Sequence, residues 1–126
     1  MVGAKKSVTL LASAARTATP TADSLTRNDP NALGVHVIVD VTASAATPSV
    51  VVTIEGQDPA SGKWYALLTS AAFTGSTETR VLKVYPGITV AANLSAADVL
   101  PASWRVVLTH ADADSITYSV GANIIS

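Results

Sequence analysis

A chain of 126 residues with 48% apolar and only 13% charged residues has room for one hydrophobic core. Its surface carries less charge than soluble monomers usually do. A net charge of −1 and scattered arginines leave no basic face to release counterions from a phosphate backbone, which argues against nucleic-acid binding. The absence of cysteine excludes disulfides, thiolate metal sites and thiol catalysis, and no stretch approaches the roughly 20 apolar residues of a spanning helix.

At the N-terminus, Lys5-Lys6 followed by an apolar run imitates a signal peptide. The run is short and broken by Thr9 and Ser13, so residues 7–15 are read as an opening strand. Residues 16–32, with Pro20, Asn28, Asp29 and Pro30, form an irregular stretch longer than an ordinary connection. Such loops are functional or docked on something. Residues 1–32 are therefore expected to be a strand, an arm and a long loop, and 33–126 the core of the same single domain. Arg16, Thr19, Leu25, Arg27, Asn28 and Asp29 are the candidate interface residues.

From residue 34 onward the signal is alternation. Val35, Val37, Val39 and Val41 point one way, with His36, Ile38 and Asp40 between them. Val50, Val52 and Ile54 follow, then Trp64, Ala66 and Leu68, then the alternating run 81–85. Trp104, Val106 and Leu108 come next, and Ile116, Tyr118 and Val120 last. Period two over short runs is the half-buried strand pattern. Asp58-Pro59-Ala60-Ser61-Gly62-Lys63 reads as a hairpin turn, and residues 111–115 read as a second one. Thr47-Pro48 and Pro86-Gly87 mark corners. Between 88 and 103 alternation lapses, and Ser95, Asp98 and Pro101 suggest one capped helical turn near 95–100. About seven strands give an all-β fold, a single antiparallel β-sandwich of Ig-like or jelly-roll-like type.

Chemistry-bearing groups are sparse. His110 lies near Asp112 and Asp114, but these read as a turn whose carboxylates bond their own backbone, not as a metal site. Asp40 and Glu55 fall on strands expected to be neighbours, yet both should face solvent. No serine elbow or phosphate-binding glycine loop is present. The expectation is a non-enzyme without cofactor. Both tryptophans are assigned to the core by phase, and an exposed one would instead suit a carbohydrate- or host-surface-binding module.

Four stretches carry a likeness: GVHVIVDVT (34–42), GQDPASGKWYALL (56–68), VYPG (84–87) and LSAADVLPASWRVVLTHADADSITYSVGANII (94–125). They lie within residues 33–125, about three quarters of the chain, and that region resembles small β-sandwich structural proteins of tailed bacteriophages. The resemblance implies a capsid decoration (cement) protein on the virion surface, made in the host cytoplasm. It implies a homotrimer whose partner is the major capsid protein. A tail or head–tail component is the alternative within that group.

Overall fold

The computed structural model describes residues 6–21 and 25–126. The first five residues of the expected arm and residues 22–24 of the long loop lie outside that description. Among the described residues nine strands occur in chain order: β1 (Lys6–Arg16), β2 (Thr26–Asn28), β3 (Gly34–Ser44), β4 (Val50–Gln57), β5 (Trp64–Thr69), β6 (Glu78–Val84), β7 (Ser95–Ala96), β8 (Ser103–His110) and β9 (Ile116–Ile125). One sheet has the order β1-β9-β3-β6-β7 and the other β2-β8-β4-β5. All pairings are antiparallel except β6 with β7.

Alternation decides the layering. In β3 the four valines are buried and the residues between them are partly exposed. β4, β8 and β9 repeat that pattern, and their inward side chains meet across the gap. Trp104, Tyr118 and Phe73 are the largest fully buried side chains, and small β-branched residues fill the space around them. The fold is an all-β sandwich.

Connections give the sandwich its character. Among the described strands two links stay within a layer, the β4–β5 hairpin and the parallel connection β6–β7; every other link changes sheet. The hairpin turn is as expected, with Gly62 at φ 76 and Asp58 accepting from Ala60 N and Ser61 Oγ at 2.9 and 2.7 Å. Residues 111–115 are not a hairpin, because β8 and β9 lie in different sheets. They form an arch beside the β3–β4 corner, joined to it by Ala111 N to Ser49 O and Ala45 N to Ser115 O, both 2.9 Å. A polar five-residue link looks the same in sequence whichever sheet the next strand joins.

The expected helical turn near 95–100 is also corrected. Among the described residues there is no α-helix, and Ser95–Ala96 form β7 alongside β6. Ser95 is buried, and its Oγ accepts from Ala91 N and donates to Thr89 O, both at 2.8 Å. The hydroxyl that could have capped a helix closes the preceding loop instead.

Candidate functional site

Four of the six candidate interface residues turn inward. Arg16 reaches back to the carbonyls of Ala12, Ala14 and Tyr118 at 2.6, 3.2 and 2.5 Å, and its guanidinium lies 4.7 Å from the centre of the Tyr118 ring. It fills the irregularity where β1 slips against β9 between Leu11 and Ala14. Leu25 is 1% exposed and belongs to the core. Asp29 is 8% exposed and accepts from Trp104 Nε1 at 2.8 Å and from Arg27 at 3.1 and 3.2 Å. Burial opposes the charge on Asp29, but the hydrogen bonds from Arg27 and Trp104 outweigh it and hold the carboxyl below its usual range. Leu25 and Asp29 are therefore withdrawn as interface residues: an apolar side chain drawn into the core and a carboxylate spent on a buried indole have no surface to offer. Arg16 and Arg27 are committed to internal partners. Thr19 and Asn28 remain exposed, although Thr19 Oγ1 accepts from His110 N at 3.0 Å.

The other chemistry-bearing residues are also separated or absorbed. His110 Nε2 lies 2.9 Å from the Tyr118 hydroxyl. Burial favours the neutral imidazole, with Asp112 opposing and Arg16 assisting, and burial pushes the phenol up to about 12. Two neutral groups thus share that bond. Asp114 accepts from Thr47 N and Thr47 Oγ1 at 3.2 and 3.3 Å, so it fastens one corner of the sandwich to another. Asp40 and Glu55 are not neighbours, because β3 and β4 belong to opposite sheets. Asp40 accepts from Thr79, and Glu55 pairs with Arg105 at 2.7 Å. Among the described residues no group of three or more His, Asp or Glu could hold a metal ion.

Trp104 is fully buried as expected, but Trp64 is not part of the core. Ile54 pairs with Leu68 and Glu55 with Ala66, which leaves Leu67 as an extra residue in β5 and reverses the phase before it. Trp64 comes out half-exposed, with the Arg105 guanidinium 4.2 Å from its ring centre. No single residue in the alternating text of β5 announces this bulge.

What remains to act on is surface. β1 is an edge strand eleven residues long, and from Ser7 to Ala15 it carries neither charge nor proline. Natural monomers usually guard such an edge with lysine, proline, brevity or bulges, and within this stretch β1 has only the last, its register shifts between Thr9 and Leu11 and between Leu11 and Ala14. On the outward side of β4 and β8, Val51 pairs with Thr109 and Thr53 with Val107 in an uncharged patch. The mutually neutralised Glu55–Arg105 pair closes it off, with Trp64 stacked on the arginine. No protein family, curated protein or solved structure matches the chain. No helix among the described residues is long and apolar enough to cross a membrane.

Proposed function

We propose that this protein is a structural part of a tailed-phage virion, attached as a decoration protein to the outer surface of the major capsid lattice. The observation that carries the reading is the β1 edge, free of charged residues and proline from Ser7 to Ala15, which is suited to being covered by a neighbouring protein. Four motif stretches resembling such sandwich proteins point the same way. The work of a decoration protein is burial of area across subunit seams, repeated over the shell. Linking several weak contacts raises effective concentration and makes attachment tight without any single strong site. A tail or head–tail role uses the same surfaces and differs only in the partner. The sugar-binding reading needs an open aromatic platform, and Trp104 is buried while Arg105 occupies a face of Trp64.

The test uses expanded capsids of the phage or prophage whose structural genes include this one, prepared without the protein. Purified protein should bind them saturably and raise the temperature at which they come apart. Binding to purified tails but not to capsids would transfer the assignment to the tail, and binding to neither would remove it.

A further inference from the structure

The register of the first sheet sets one polar rung across four strands. Ser7 of β1 stands opposite Asn123 of β9, Asn123 opposite His36 of β3, and His36 opposite Lys83 of β6. Asn123, His36 and Lys83 each lie between buried neighbours in their own strand, so their side chains point away from the core. Ser7 joins the same face, since its hydroxyl donates to Asn123 Oδ1 at 2.8 Å. Directly opposed residues have Cβ atoms about 5 Å apart, which makes the rung continuous.

The face is hollowed along this rung. Lys6, Ser7, His36, Asn123 and Ile125 border a cleft of about 410 Å³, within the size range of small-ligand sites. Tyr85 walls His36 with ring centres 5.9 Å apart. At the next outward position of β9, Gly121 leaves the surface low: a Cβ there would meet nothing nearer than Val8 O at 3.8 Å.

The rung offers donors. Asn123 has its oxygen occupied by Ser7, so both of its amide hydrogens are left for a ligand. Burial first, and the Lys83 charge second, hold His36 toward the neutral imidazole, which keeps one N–H. Among the described residues Lys83 has no ion pair, and the adjoining rung of Thr9, Gly121, Ile38 and Val81 carries no charge. An unpaired ammonium beside two neutral donors calls for an anion with an acceptor face. Phosphate is the poorer fit, because phosphate sites lean on arginine forks and helix N-termini. Here Arg27, Arg80 and Arg105 are paired with carboxylates, Arg16 is spent on carbonyls, and the described residues include no α-helix.

We propose that this cleft binds a carboxylate, with Lys83 supplying the charge, Asn123 and His36 the directed hydrogen bonds, and Ile125 and Tyr85 the cover for the ligand's apolar body. An acidic side chain of a partner protein and the acid group of a uronic sugar present the same chemistry. The inference goes beyond the virion reading and does not rest on it, since the purified chain should bind unaided.

Two-dimensional NMR of the purified protein, titrated in turn with N-acetylglutamate amide and with glucuronate, provides the test. Backbone amide signals should move at residues 7, 36, 83 and 123 and stay still in β4 and β8. Lys83→Gln and Asn123→Ala should each weaken binding about tenfold, the loss of one hydrogen bond to a charged group. Thr53→Ala, on the outer face of the other sheet, should leave it unchanged. N-acetylglutamine amide and inorganic phosphate should bind about tenfold more weakly than the acids. Both carboxylates support the proposal: tighter binding of the amino acid points to a protein partner, and tighter binding of the uronate to a glycan. Should a variant fold poorly, the wild-type shift map and the ranking of ligands decide without it. Shifts absent at tens of millimolar of either acid, phosphate or the uncharged amide matching the acids, or folded variants that bind like the wild type would each overturn the proposal.

Discussion

Asp29 shows how much one side chain can organise. Its carboxylate satisfies the indole N–H of Trp104 at the centre of the core and the guanidinium of Arg27 at the rim, while its backbone N–H bonds Ala102 O at 2.8 Å. One residue thereby pins the start of β3, the flank of β8 and the end of the crossover before it. Replacing it with alanine strands a buried indole donor, and such an orphan costs about 1–3 kcal/mol. Asp29→Ala should therefore lower the unfolding free energy by about 2–3 kcal/mol in urea titration. Asp29→Asn, which keeps an acceptor for the indole, should lose about half of that or less. Equal losses in the two variants would mean that the charge, and not the acceptor, matters. The sequence placed Asp29 in a loop rich in turn residues, and loop aspartates are usually solvated. Only the distant Trp104, 75 positions away, explains its burial.

At the level of elements, what could be read depended on whether the signal was local. β3, β4, β8 and β9 were legible because buried and exposed residues alternate within each strand and the partner strand adds nothing to that pattern. The β5 bulge was not, since it is defined by register against β4. The arch at 111–115 was misread for a related reason, as sheet membership is a property of pairs. Of the candidate site, the irregular segments were legible as irregular, but which of their side chains turn inward was not. Four of the six candidates in 16–32 proved to be tied inward, whereas the irregular segment that was expected to hold a helical turn near 95–100 carries Val90, Leu94 and Val99 exposed. Gly56, in β4, tests how tightly the crossover at Pro101 is seated on the β4–β5 hairpin. A methyl group there would lie 2.6 Å from Pro101 Cγ, and a proline ring cannot rotate away. Gly56→Ala should cost about 1–3 kcal/mol by overpacking. An unchanged melting temperature would show that the crossover rides loosely on the hairpin.

For the whole molecule, acid should act in two stages. His36 and His110 are both held toward the neutral form, His36 by burial and then by Lys83, His110 by burial and then by Arg16 against the pull of Asp112. Because the folded pKa values lie below the ordinary 6.5, the unfolded chain takes up these protons first. The stability they contribute is complete above that value and drains away as pH falls beneath it. Asp29 behaves as a depressed carboxylate, so its share is present above the ordinary 3.8 and is lost only as pH falls further. Denaturation midpoints should decline in a first step below pH 6.5 and a second below pH 3.8. His36→Gln combined with His110→Gln should abolish the first step and spare the second. A wild-type midpoint that is level from neutrality down to the second step would contradict this account.

The register of the outermost ladder has a mechanical consequence. Lys6 lies opposite Ile124, and Arg16 opposite Ile116, so β1 enters the sheet at the corner where β9 finishes. A load drawn through those two points meets the rungs singly and opens them like a zip, whereas a load dragging β3 along its axis must shear its bonds to β9 and β6 together. The molecule is built to yield gently when tugged at that corner and to resist when the strain crosses its middle.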